Sequence, residues 1–388
     1  MKVYRSTAVM SIVTLLTFTL LSAQSADSRS QSFKVGGKGT LDISVDSSDI
    51  TIRVGSGSQV QVEARGLVDP DQNLHMTQAG NTIRIEYRRQ GRNRGWGFSR
   101  RSRFDVTIPS SFNLEFDTSG GDVRIDGDLS GYVSGRTSGG DIDVGDIGGD
   151  ADLKTSGGDI TTGVLQGRAK IKTSGGDIQI AQAAESLDVA TSGGDLELGD
   201  IGGALSARTS GGSIEVGNVG ADAEMTTAGG DIQARIVSGS AKMKTAGGDL
   251  ELESAFGHIE AVTAGGSIRL AEVTGSVEAR TAGGDIEVTL FPDGEAQSSL
   301  KSAGGDLILN LPASARVTIE ALIRDTKERG WSWRGDREYE IRSAFEAASY
   351  ERDDDKGEIY AVYQVNGGGP LIKMETSSGN IDIRQSAK

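Results

Sequence analysis

The chain has 388 residues with 55 acidic and 40 basic side chains, a formal net charge of −15, 56 glycines and no cysteine. The absence of thiols excludes disulfides, thiolate metal sites and a lipid-attached N-terminal cysteine. Aromatic residues make up only 5% of the chain, so any core must be built from aliphatic side chains.

Residues 1–26 read as a secretory signal. Lys2 and Arg5 precede the apolar stretch from Ala8 to Leu21, and small residues follow at Ser22, Ala23, Ser25 and Ala26. Thr14, Thr17 and Thr19 interrupt the apolar run, which is short for a membrane-spanning helix. The reading predicts an exported protein of bacterial type, in the periplasm, at the cell surface or secreted. Cleavage among Ala23 to Ala26 would move the charge to −17.

Residues 27–117 alternate with the period of two expected of strands: Leu41, Ile43 and Val45, then Ile50, Ile52 and Val54, then Val60, Val62 and Ala64. Ser48-Asp49-Ile50 echoes a motif repeated further on, so this part reads as a degenerate N-terminal end of the same architecture. It holds 11 acidic and 13 basic residues. The basic surplus lies in a loop at 84–103, with Arg88, Arg89, Arg92, Arg94, Arg100, Arg101 and Arg103 around Trp96 and Phe98.

Residues 118–311 repeat every 18 residues. A unit opening Thr-Ser/Ala-Gly-Gly-Asp/Ser-Ile/Leu begins at Thr137, Thr155, Thr173, Thr191, Thr209, Thr227, Thr245, Thr263 and Thr281 without a register slip. Off-register copies open at Thr118, Ser302 and Thr376. Position six is always aliphatic (Ile178, Leu196, Ile214), position eight mostly so, and position seven between them is mostly polar or charged. Positions 15 and 17 show the same in–out–in pattern, as in Leu187-Asp188-Val189, and position eleven adds a single apolar contact such as Ile201. A fixed short period of strand-like segments means that each unit buries its apolar face on the next. The expected fold is an all-β, single-chain β-solenoid of about 18 residues per coil, with two or three short strands per coil and irregular capping segments at both ends. The glycine pairs at positions three and four are expected at corners, where the backbone turns sharply or takes positive φ. This part carries 30 acidic and 13 basic residues.

Residues 312–388 read as a C-terminal cap with an aromatic and charged insertion at 324–358. The insertion contains Trp331, Trp333, Tyr339, Phe345 and Tyr350, then Asp353-Asp354-Asp355. A strand pair around Ile372 and Ile381 closes the chain. Arg334-Gly335-Asp336 is a match too short to carry weight.

The serial Thr-Ser-Gly-Gly-Asp-Ile/Leu units, with Asn366-Gly-Gly-Gly-Pro-Leu-Ile and Thr376-Ser-Ser-Gly-Asn-Ile-Asp-Ile, resemble the bacterial "putative adhesin" family of β-strand-repeat domains of unknown function. The resemblance covers most of the chain after residue 26. It implies a β-solenoid at the bacterial envelope and transfers no active site.

Candidate sites follow from the residue types. Position five stacks carboxylates from coil to coil, among them Asp141, Asp159, Asp177 and Asp195, with Ser213 and Ser267 interrupting. Like charges about 5 Å apart repel by about 1 kcal/mol even in water, so something must offset them. Acceptance of backbone N–H groups within each Gly-Gly turn is the expected answer. Bound Ca²⁺, as in a calcium-stabilised structural β-roll, is the alternative. That fold places Gly-Gly-x-Gly-x-Asp in both halves of its coil, whereas this repeat has one Gly-Gly-Asp. No cofactor is otherwise implied.

A stack of acids also invites a polysaccharide-active enzyme working on a solenoid face. Against it, the in-register coils hold only Phe256 and Phe291 as aromatic platforms, with Tyr132 just before them, and no unit is chemically distinct. His75 and His258 read as surface residues, and no Ser lies beside a base. The Arg-rich loop is the strongest binding candidate, for an acidic glycan or a lipid headgroup of the envelope. Trp331 and Trp333 could serve a protein partner, and self-association through the acidic rod is a further expectation. Export argues against nucleic acid. The reading that emerges is an exported, non-enzymatic envelope scaffold or adhesin-like binding module.

Overall fold

The computed structural model describes residues 27–88, 101–324, 339–353 and 355–386. Each regular unit supplies two strands and two corners. In the unit opening at Thr173, Ile178–Ala183 forms the first strand and Leu187–Ala190 the second. Ile178, Ile180 and Ala183 point inward from the first strand, and Leu187 and Val189 from the second. Both strands pair in parallel with their counterparts 18 residues on, Ile178 opposite Leu196 and Leu187 opposite Leu205. Repetition builds two parallel sheets, the first from positions six to eleven and the second from positions 15 to 18. The aliphatic core between them runs the length of the stack. The fold is the all-β solenoid that the repeat predicts.

The Thr-Ser-Gly-Gly-Asp corner satisfies its backbone by bonds between coils, as a half-buried turn must. Thr191 is buried, and its hydroxyl donates to the carbonyl of Gly176 in the preceding coil at 2.9 Å. Gly194 N–H donates in turn to Thr191 Oγ1 at 3.4 Å. Thr173, Thr209 and Thr263 repeat the first bond at 2.8 to 2.9 Å. Ser302 and Thr376 keep it at the C-terminal end, both at 2.9 Å.

The glycine pairs occupy the corners for a different reason from positive φ. Neither position three nor position four of the regular units takes it. A Cβ on Gly194 would instead lie 2.1 Å from the carbonyl oxygen of Gly176, and one on Gly212 equally close to that of Gly194. Coils one strand spacing apart leave no room for a side chain there. Positive φ does occur at position thirteen of two units, at Gly257 (141°) and Gly275 (133°). There the strands Leu250–Val262 and Ile268–Thr281 run through the second corner without a break.

Both ends are closed by nesting. At the N-terminal end, Thr40–Val45 lies between Thr82–Tyr87 and Asn113–Thr118, parallel to both. Asp49–Gly55 lies likewise between Arg103–Pro109 and Val123–Asp126. The antiparallel strands Gln59–Arg65 and Arg29–Lys34 continue the first sheet outward, and Leu74–Ala79 the second. This end concentrates the large aromatic core residues, with the Tyr87 and Phe104 rings 5.8 Å apart and Phe112 fully buried. At the C-terminal end, Leu371–Thr376 is inserted between Ser298–Ser302 and Val317–Arg324. Ile381–Gln385 is inserted between Leu307–Leu311 and Ile341–Ser343. Glu358–Val365 and Ala347–Asp353 then add antiparallel strands beyond Val317–Arg324.

Candidate functional site

The two outer faces of the stack carry different chemistry. On the second sheet, outward residues at positions 16 and 18 alternate in sign and pair between coils. Lys172 meets Asp188 at 3.1 Å, Arg208 meets Glu224 at 2.9 Å and Lys244 meets Glu260 at 2.6 Å. The hydrogen bond from Lys244 holds the Glu260 carboxyl below the usual carboxylate range. The first sheet's position seven places Gln179, Glu197, Glu215, Gln233 and Glu251 in one row, each opposite the next. With Glu253 and Arg235 they line a shallow groove of 690 Å³. Among the described residues Glu197, Glu215, Glu251 and Glu253 form no ion pair; Glu197 accepts a hydrogen bond from Gln179 at 2.5 Å. Position seven reads from the sequence as outward and mostly polar, and the stripe emerges only when the coils are stacked. The legible signal is Glu recurring at one phase while Lys and Arg gather at positions 16 and 18.

The position-five carboxylates stack as the repeat requires, but their bonds run between turns and not within one. Asp141 Oδ1 accepts the N–H of Asp159 at 2.9 Å, Asp159 that of Asp177 at 2.8 Å and Asp177 that of Asp195 at 2.8 Å. Asp195 accepts the N–H of Ser213 at 2.7 Å. The serines keep the arrangement, since Ser213 Oγ accepts the N–H of Asp231 at 3.2 Å. Asp146 and Asp200, near the end of the first strand's span, and Asp150 and Asp222, at the other corner, do the same, accepting from Val164, Asn218, Arg168 and Ser240. Each carboxylate thus bonds a backbone donor of the next coil, which offsets repulsion along the stack. Among the described residues no group of three or more His, Asp or Glu side chains gathers in metal-binding geometry.

This arrangement gives a direct expectation for Asp177. Asp177→Ala leaves the Asp195 N–H without its acceptor and should cost about 1 kcal/mol. Asp177→Ser, which copies Ser213, should recover most of that loss. Thermal melts of the two variants, each run with and without chelator, check the expectation. A chelator-sensitive midpoint in the parent would assign the carboxylates to a cation instead.

Of the basic segment 84–103, Arg84 lies in the strand Thr82–Tyr87 and pairs with Asp42 at 2.9 Å, Arg103 opens the strand Arg103–Pro109, and Arg88 and Arg101 also fall within the described residues. Arg101 and Arg103 approach Asp49 at 3.9 and 3.8 Å with more than half of each side chain exposed. Asp49 is itself the first rung of the carboxylate ladder, its Oδ1 accepting the N–H of Asp122 at 3.3 Å. Arg88 directly follows the strand Thr82–Tyr87, so the loop springs from the outermost parallel coil of the N-terminal end. Arg89, Arg92, Arg94, Trp96, Phe98 and Arg100 lie outside the described residues. So do Trp331, Trp333, Arg334-Gly335-Asp336 and the leader at 1–26. No helix among the described residues is long and apolar enough to cross a membrane.

His258 faces outward at the second corner, its Nδ1 2.9 Å from Ser276 Oγ. His75 sits in the edge strand Leu74–Ala79. The two histidines are not brought together, and neither joins the acidic stripe.

A structure named "putative adhesin" from Bacteroides fragilis is 14% identical to this chain. The match covers 64% of this chain and 98% of that one, with a TM-score of 0.30. A "putative adhesin" from Parabacteroides merdae is 11% identical over 58% and 96% of the two chains, with a TM-score of 0.36. A "putative lipid binding protein" from Parabacteroides distasonis is 13% identical over 74% and 90%, with a TM-score of 0.19. No curated protein matches. The Toastrack DUF4097 profile matches residues 39–253 and again 203–327, spans that take in the nested N-terminal end, every regular coil and the strand Val317–Arg324. The chain therefore belongs to the Toastrack DUF4097 family.

Proposed function

We propose that the protein is an exported, non-enzymatic scaffold or adhesin-like binding module of the bacterial cell envelope. Its basic end meets acidic glycans or lipid headgroups, and its acidic rod stands away from them. The observation that carries this reading is the charge polarity along the stack. Arg88, Arg101 and Arg103 mark the N-terminal end, whereas residues 118–311 carry 30 acidic and 13 basic side chains. A rod so polarised is attracted to a polyanionic surface by one end and repelled along its flank. Both effects weaken as salt screens beyond about 10 Å.

The test is binding of residues 27–388 to envelope polysaccharides and anionic lipid vesicles at low and at moderate salt. Salt-sensitive binding is expected, weakened by neutralising Arg88, Arg89, Arg100 and Arg101 together, with no glycan cleaved. No binding at either salt, or depolymerisation of any glycan, would overturn the proposal.

A further inference from the structure

One outward position of the second sheet carries an aromatic side chain just ahead of the regular coils. The place held by Asp150, Arg168 and Ser186 in successive regular units is held by Tyr132 in the 19-residue unit before them, as the pairing of Val133 with Ala151 shows. Tyr132 N–H donates to Asn113 Oδ1 at 3.2 Å, the same coil-to-coil bond that Arg168 N–H makes to Asp150. The backbone therefore stays in register and only the side chain differs. The phenol reaches across to the strand Asn113–Thr118 and donates to Glu115. That hydrogen bond holds the Tyr132 phenol above its ordinary range and ties the half-buried ring to the sheet surface.

A cleft of 580 Å³ opens beside the ring, a volume typical of small-molecule sites. Its wall includes Lys38, Ser111, Asn113, Ser130, Ser134 and Asp152. Among the described residues the Lys38 ammonium, the three serine hydroxyls and the Asp152 carboxylate make no side-chain hydrogen bond or ion pair. The floor stays bare because Gly131 and Gly149 cannot carry a side chain. A Cβ there would lie 2.3 Å from Phe112 O or 2.7 Å from Tyr132 N.

A clamped aromatic ring beside uncommitted hydroxyl, carboxylate and ammonium groups matches the chemistry of a sugar ring. The C–H face of a pyranose stacks on an aromatic face, and its hydroxyls need donors and acceptors together. Asp150 and Asp152 outnumber Lys38 in the cleft, which disfavours an anionic sugar. The geometry points to a neutral pyranosyl glycan as the ligand of this cleft, with Tyr132 as its stacking platform. The contact adds to the binding module proposed above and is separate from its basic end.

The experiment is calorimetric titration of residues 27–388 with neutral chito-, cello-, manno- and xylo-oligosaccharides. Saturable binding of at least one series is expected. Tyr132→Ala should weaken it about tenfold, the loss of one aromatic stacking contact. Tyr132→Phe, which keeps the ring and frees it from Glu115, should weaken it less. If Tyr132→Ala alters the melt, Lys38→Ala and Ser130→Ala at exposed positions probe the same cleft. Absence of binding by every series, or binding untouched by these variants, overturns the inference. Salt-sensitive envelope binding without neutral-sugar binding would sink this inference and leave the basic-end reading intact. Tyr132-dependent sugar binding without envelope binding would do the reverse.

Discussion

Gly194→Ala should destabilise the protein by about 3 kcal/mol or more, while Gly193→Ala one residue away should cost about 1 kcal/mol or less. Neither glycine has positive φ, so alanine suits the backbone at both. The difference lies in the space above the preceding coil. A Cβ on Gly194 would fall 2.1 Å from Gly176 O and 2.5 Å from Asp177 Oδ1, whereas one on Gly193 finds its nearest neighbour, Gly175 O, at 3.2 Å. The first contact is with backbone and cannot be relieved by a rotamer. The coils must part, which stretches the Thr191–Gly176 and Asp195–Asp177 bonds of the same corner. Chemical or thermal denaturation of the two variants measures the difference. Equal effects would mean that coil spacing is not what selects glycine at position four.

Truncation after Pro370 should abolish cooperative folding, although it removes a segment no longer than one repeat unit. The lost strands Leu371–Thr376 and Ile381–Gln385 are the filling of the C-terminal end and carry the buried Ile372, Met374, Thr376, Ile381 and Ile383. Large-to-small changes at such positions cost about 2–5 kcal/mol each, and a typical domain has about 5–15 kcal/mol in all. Removal also bares parallel edges of Ser298–Ser302 and Val317–Arg324 to other chains. By contrast, in-frame deletion of residues 191–208 should leave a folded, soluble rod shorter by about 4.8 Å. In that variant Asp177 would accept the N–H of Ser213 in place of Asp195, and Thr209 would donate to Gly176. Size-exclusion profiles and melts of the two deletions compare them directly. A soluble, cooperatively melting truncation would show that the inserted strands are dispensable.

The regular coils were legible because each residue's environment is copied from the unit before it. Period-two alternation at positions six to eight and 15 to 17 marks both strands, and the inward parity of Thr191 follows from Leu187 and Val189. The role of the corner glycines was not legible, because a sequence records that a side chain is absent and not which neighbour excludes it. The carboxylate ladder was half legible. Asp at a turn implies a backbone donor, but the donor belongs to the next coil, and only the stack brings Asp177 against the N–H of Asp195. The nested ends were hidden for the same reason. Thr40–Val45 and Asn113–Thr118 are adjacent in space and about seventy residues apart in the chain, and local patterning carries no trace of that pairing. Tyr132 shows the limit at the site level. One tyrosine ahead of the repeat gains meaning only once Glu115, Asn113 and Lys38 are placed around it.

The nested ends also bear on the order in which the chain can fold. Interior coils can add one after another, each onto a finished neighbour, with the short loop closures that make assembly fast. Thr40–Val45 cannot do so, since both strands that flank it are synthesised later. At the other terminus Leu371–Thr376 must enter between Ser298–Ser302 and Val317–Arg324, both made before it. The middle of the rod is therefore free to form early, and sealing of both tips falls to contacts between distant parts of the chain. A kinetic trace should resolve into a fast phase from the interior and a slower one carried by the two ends.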